Sequence, residues 1–251
     1  MEEQAAGGLP GSQLAPEGGP GWGWRAVGAT VLLTVAATFV LLLAARFVVA
    51  ALGVEAGESL VSPPVYVVGV GVYLAILAGI YLFAARRAGW GALGVRTTAS
   101  ANLLIVPPLF VVGVIALLAV NGALALALGS FENPQAASIT GGQPLGAGEL
   151  AAGLLLIAGL VPLVEELFFR GMVYPLIRAR MGALPAVALN ALLFALVHFI
   201  PLLIPGLFVV GMLLAYLRER SGSIWPSVLY HMLQNSLALI AINAALALPA
   251  T

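Results

Sequence analysis

Apolar runs long enough to cross a bilayer dominate this chain and restrict what it can become. The stretches from about Ala26 to Leu52, Pro64 to Ala85 and Leu103 to Leu128 each reach the roughly 20 residues that a spanning helix needs at 1.5 Å of rise per residue. A helix satisfies its own backbone N–H and C=O groups, which hydrocarbon requires.

Composition sharpens this. The 251 residues are 62% hydrophobic and 8% charged, against about 25% charged in a soluble domain. The formal net charge is zero, which suggests no nucleic-acid partner. There is no Lys and no Asp, so every basic residue is Arg and every acidic residue is Glu. The absence of Cys excludes disulfides, thiolate metal sites and cysteine nucleophiles. His198 and His231 are the only histidines, so any site draws on few polar groups.

Taken in order, residues 1–22 are rich in Gly, Pro and Ala and read as a disordered tail. The acidic start without an apolar core does not resemble a secretory signal. Trp22, Trp24 and Arg25 look like an interfacial anchor. Arg46, inside the first span, is expected to snorkel or to meet Glu55. Residues 129–148 form a polar loop full of turn residues. A fourth helix is expected from about Gly148 to Arg178, and a fifth from Leu184 to Phe199. A sixth follows from Gly206 to Leu217, and a seventh from Trp225 to Leu248.

The expected fold is therefore all-α, a polytopic transmembrane bundle of about seven spans. Residues 23–147 supply three N-terminal helices and the polar loop, and residues 148–251 the functional core. Arg25, Arg86, Arg87, Arg96, Arg178, Arg180, Arg218 and Arg220 fall on one side, and loops holding Glu55, Glu58 and Glu132 on the other. The positive-inside rule puts the N-terminus in the cytoplasm. Arg178, Arg180, Arg218 and Arg220 read as interface charges, and Asn190, Gln234 and Asn243 as interhelical hydrogen-bonders.

Glu165 and Glu166 interrupt the fourth span, where each carboxylate costs a few kcal/mol. Glu166 and Arg170 are i,i+4 and can pair, while Glu165 is turned about 100° away and lacks a local partner. An unpaired carboxylate inside a membrane marks a functional site by default. Phe194 with His198, and His231 with Asn235, are also i,i+4 pairs on apolar helices. Glu165, His198, His231 and Asn235 thus come from three helices, as in sites built inside bundles. The chemistry suits water activation, with a carboxylate as general base and a His N–H and an Asn amide as oxyanion donors. The alternative is a divalent metal such as zinc held by Glu165, His198 and His231 with one position open for water. The H-E-x-x-H arrangement is absent, so a metal is not forced. The bland alternative makes Glu166 and Arg170 a buried ion pair and Phe168, Phe169 and Phe194 packing residues.

Glu165-Glu166-x-x-x-Arg170, Phe194-x-x-x-His198 and His231-x-x-x-Asn235 resemble, in order and spacing, the three motifs of the CPBP family. These are the CAAX proteases and bacteriocin-processing enzymes, also called Abi. The stretch from Gly222 to His231 is similar to the last motif, and the resemblance covers about Gly148 to Ile240. It implies an intramembrane endopeptidase in which Glu165 and His198 activate water, and His231 and Asn235 stabilise the oxyanion. Glu166 and Arg170 would support the site, with Glu166 a possible participant in catalysis. The family has been described both as metal-dependent and as a metal-free glutamate type. The implied partners are a peptide or lipidated protein and the lipid bilayer. The implied location is a bacterial cytoplasmic membrane, with cleavage near its cytoplasmic face. Two rivals remain: a proton- or ion-coupled transporter, for which paired repeats with broken helices are the usual sign, and a non-catalytic immunity or scaffold protein.

Overall fold

The computed structural model describes residues 19–53, 60–130 and 133–248. Most of the disordered-tail expectation, and Glu55, Glu58 and Glu132, lie outside these residues. Among the described residues, seven apolar helices make up the bundle: α1 (Trp24–Leu52), α2 (Pro63–Ala88), α3 (Ser100–Leu128), α4 (Ala147–Arg178), α5 (Ala183–Leu196), α6 (Pro201–Ser221) and α7 (Trp225–Ala247). Six are long and apolar enough to span a membrane, and α5 is shorter. There is no strand among the described residues.

The bundle is unevenly buried. In α1 only Thr30 is buried, and its large apolar side chains face outward, as lipid permits. Thr30, Thr34 and Thr38 each donate a hydroxyl to the carbonyl four residues earlier, at 3.0, 2.9 and 2.8 Å. These hydroxyls are thereby satisfied without a second helix. Against α2, Thr30 meets Gly79, where a Cβ would stand 2.7 Å from the Thr30 methyl. The buried side chains concentrate instead on the second half of α4 and on α5, α6 and α7.

The two ends of the bundle differ in chemistry. At one end the α2–α3 and α6–α7 connections are tied together: Ile224 N–H donates to Gly94 O at 3.0 Å, Ser223 Oγ to Arg96 O at 2.7 Å, and Arg96 Nε to Gly222 O at 2.8 Å. This end collects the arginines of the connections. At the other end Leu60 N–H donates to Ser138 O at 3.1 Å, and Leu145 N–H to Asn243 Oδ1 at 2.6 Å.

Several expectations need correction. The polar loop contains a short helix, Pro134–Thr140, started by Asn133, whose side chain accepts from Gln135 N–H at 2.9 Å. Trp22 is buried rather than anchored at an interface, and its indole donates to Met172 O at 2.9 Å. Arg178 and Arg218 are structural groups. Arg178 pairs with buried Glu219 at 3.1 Å, and Tyr174 donates to the same carboxylate at 2.8 Å. Arg218, 1% exposed, donates Nε to Arg170 O at 3.0 Å. Arg46 lies on the exposed surface of α1. Asn190 behaves as expected, donating to Phe169 O at 3.0 Å. Gln234 Oε1 is buried without a hydrogen-bond partner among the described residues. The fifth helix ends at Leu196 rather than Phe199, so His198 stands just beyond it.

Candidate active site

Two prolines shape α4. Val161 N–H bonds Leu156 O, five residues back, because Leu154–Leu160 is wound as a π-helix. In that register the next carbonyl, Ile157 O, would receive the N–H of residue 162, which is proline and has none. Asn235 of α7 fills the gap, its Nδ2 donating to Ile157 O at 2.8 Å. The pattern recurs one segment later. Tyr174 N–H bonds Phe169 O across the π-helical Leu167–Val173, and the register then meets Pro175. Arg170 O is the stranded carbonyl, and Arg218 of α6 takes it. Prolines are tolerated in membrane helices when neighbours satisfy the freed carbonyls in this way. Such π segments are frequent at functional sites. Here they bracket the α-helical turn Val161–Glu166 that carries both glutamates.

The two glutamates have different surroundings. Glu166 is 0% exposed, and its Oε1 accepts from Arg170 Nη1 at 2.8 Å and from His231 Nδ1 at 2.9 Å. Arg170 Nη2 reaches Gly211 O of α6 at 3.2 Å, and its guanidinium lies 4.5 Å from the centroid of the Phe194 ring. Glu166 Oε2 and Arg170 Nε have no hydrogen-bond partner among the described residues. Glu165 is partly exposed to a cavity. Its Oε1 accepts the Tyr73 hydroxyl of α2 at 2.9 Å, and its Oε2 lies 3.9 Å from His231 Nε2.

The imidazoles are oriented by their Nδ1 atoms. A carbonyl and a carboxylate only accept, so His198 Nδ1–H donates to Phe194 O at 2.8 Å, and His231 Nδ1–H to Glu166. In each case Nε2 is left for other partners. Phe194 stands between the rings, edge-on to His198 at 5.0 Å and to His231 at 5.7 Å. Phe199 has φ +54°, unusual for a bulky residue. It turns the chain sharply after His198.

Glu165, His198, His231 and Asn235 line one cavity of about 430 Å³, together with Tyr73 and Phe194. The residues expected to act together therefore share a chamber, while Glu166 and Arg170 are buried behind it. Glu165 and His198 share no hydrogen bond or ion pair; the imidazole beside Glu165 is His231. Among the described residues no three of His, Cys, Asp and Glu converge closely enough to hold a metal ion. The Nδ1–H bonds of His198 and His231 leave Nε2 of each ring as the atom that could face a metal together with Glu165. Tyr73 went unnoticed in the sequence. The available signal was its place well inside the second span, away from the ends where membrane tyrosines usually gather.

The class these features define is a membrane-embedded helix bundle with an acid–imidazole site inside a cavity. Residues 147–237, less than half of the chain, match the family model described as Type II CAAX prenyl endopeptidase Rce1-like. The match falls on the helices that carry the three motifs and agrees with their resemblance to the CPBP family. Together with the membrane bundle it supports an intramembrane protease in general terms. No curated protein and no solved structure matches the chain.

Proposed function

We propose that the protein is an intramembrane endopeptidase that hydrolyses a peptide bond of a membrane-associated or lipid-modified protein, with Glu165 as general base. The observation that carries this reading is the 3.9 Å separation of Glu165 Oε2 and His231 Nε2 at the wall of the cavity. That gap is too long for a direct hydrogen bond and suits a bridging water. Tyr73 occupies the other oxygen, so Oε2 is the one available for chemistry. Glu165 takes a proton from the water, and the oxygen attacks the carbonyl carbon of the substrate. The second N–H of Asn235 Nδ2, whose first is held by Ile157 O, supports the resulting oxyanion. One such donor contributes about 3 kcal/mol in acyl transfer. The C–N bond then breaks, and the proton on Glu165 passes to the leaving amine. His198, with Nε2 free, binds the substrate or the water from across the chamber. Glu166 and Arg170 fix His231.

The test is cleavage of a membrane-tethered reporter peptide by purified protein in liposomes. Glu165→Gln and His198→Ala are expected to lose cleavage while the thermal unfolding temperature stays near that of the parent. Full activity in both variants overturns the assignment.

A further inference from the structure

We propose that Gln234 is a substrate-binding residue, whose side-chain oxygen accepts the backbone N–H of a peptide group neighbouring the bond that is cut. This rests on the peptidase reading and deepens it. The motif His231-x-x-x-Asn235 leaves position 234 open, so the residue there is a property of this chain.

The sequence makes Gln234 an interhelical hydrogen-bonder, and the neighbouring helices give its oxygen no such bond. The residue is 9% exposed, and Oε1 is buried without a hydrogen-bond partner among the described residues. An amide oxygen left unbonded in a protein interior is costly. The flanking motif residues are engaged: His231 Nδ1–H donates to Glu166, and Asn235 Nδ2 to Ile157 O. Other buried polar atoms are also orphaned, on Glu166, Arg170, Asn190, Arg218, Arg220 and Tyr230. None of those residues lines the cavity, and Gln234 does. The unmet acceptor of Gln234 therefore belongs to a residue that a bound molecule can reach.

Helical geometry places this amide beside the chemistry. At about 100° per residue, Gln234 lies about 60° to one side of His231 and Asn235 about 40° to the other. Asn235 is turned toward α4, where it holds Ile157 O. The opposite flank of α7 faces α3: Tyr230, one turn before Gln234, packs its ring edge-on against Phe110. Along the axis Gln234 stands about 4.5 Å from His231. Successive residues of an extended peptide are about 3.3 Å apart. A substrate whose scissile carbonyl meets Asn235 thus brings an adjacent peptide group to Gln234. A neutral amide accepts that N–H without adding a second charge beside Glu165.

The feature recognised is a backbone N–H at one position of the substrate. A site built around a hydrogen bond rejects the analogue that lacks it. Proline or an N-methylated residue at that position has no N–H to give, and both should be disfavoured there whatever their side chain.

The test is a scan of the membrane-tethered reporter peptide in which one backbone nitrogen at a time is methylated. Binding is measured in liposomes with the Glu165→Gln protein, carrying either Gln234 or Gln234→Met. Met keeps the length of the side chain and removes the amide. With Gln234 present, methylation of one nitrogen is expected to weaken binding about tenfold, the effect of a single hydrogen bond. Gln234→Met should weaken binding of the unmethylated reporter by a similar factor and abolish the effect of methylation at that nitrogen. Its unfolding temperature should equal or exceed that of the protein with Gln234, because the orphaned oxygen leaves with the amide. The same methylation profile with and without Gln234 overturns the proposal. So does a lowered unfolding temperature with unchanged affinity, which would make the amide structural. Binding is independent of catalysis, so failure of the peptidase reading would show separately, as unchanged cleavage by Glu165→Gln.

Discussion

Tyr73 holds one oxygen of Glu165 from α2, a helix outside all three motifs. A hydrogen bond to a charged group contributes about 1.5–3 kcal/mol. If that bond fixes the reactive oxygen, Tyr73→Phe should lower kcat/KM by roughly tenfold to a hundredfold, and steady-state cleavage of a reporter peptide measures it. Glu166 demands a different experiment, because its carboxylate is buried against Arg170 and His231. Removing one member of a buried pair leaves an uncompensated charge and costs about 3–5 kcal/mol. Arg170→Met is therefore expected to destabilise the protein strongly in thermal unfolding in detergent. The double variant Glu166→Gln/Arg170→Met should recover part of that loss, since no buried charge is then orphaned. A double variant less stable than Arg170→Met alone would contradict the pairing.

At the scale of the helix, the prolines of α4 and the polar residues of its neighbours form matched sets. Pro162 strands Ile157 O, and Asn235 satisfies it. An unsatisfied buried carbonyl costs about 1–3 kcal/mol, so Asn235→Ala should lose stability of that order. Pro162→Ala restores an N–H to the register, and in that background Asn235→Ala should cost less stability. Activity would still fall if the second amide N–H meets the oxyanion, so comparing unfolding with cleavage across the four variants separates the two roles. The i,i+4 spacing of Glu166 with Arg170 was legible in the sequence because it needs only helical geometry, and the structure pairs them at 2.8 Å. The π windings were not legible, because they depend on which neighbour can satisfy a stranded carbonyl. For the same reason His231, rather than His198, could not be identified beforehand as the imidazole beside Glu165.

At the scale of the molecule, the apolar runs were enough to give an all-helical membrane bundle, and their order gave most helix positions. The burial of Trp22 and Arg218 was hidden, since a residue near a predicted span end looks the same whether it meets headgroups or plugs a gap between helices. Counted along a fifth helix from Leu184, His198 would lie about 20 Å in, too deep for a simple crossing. The bundle resolves this by ending α5 at Leu196 and turning the chain inside. A carboxylate on α4, imidazoles from the α5 end and α7, and a hydroxyl from α2 thereby face one chamber. The most direct measurement is quantitative peptide mapping of membranes from cells producing either the parent protein or Glu165→Gln at equal levels. At least one membrane-associated protein should accumulate as an uncut precursor in the variant, with the matching new terminus found only with the parent. Identical sets of termini in the two membranes, with both proteins folded and inserted, would contradict hydrolysis by Glu165.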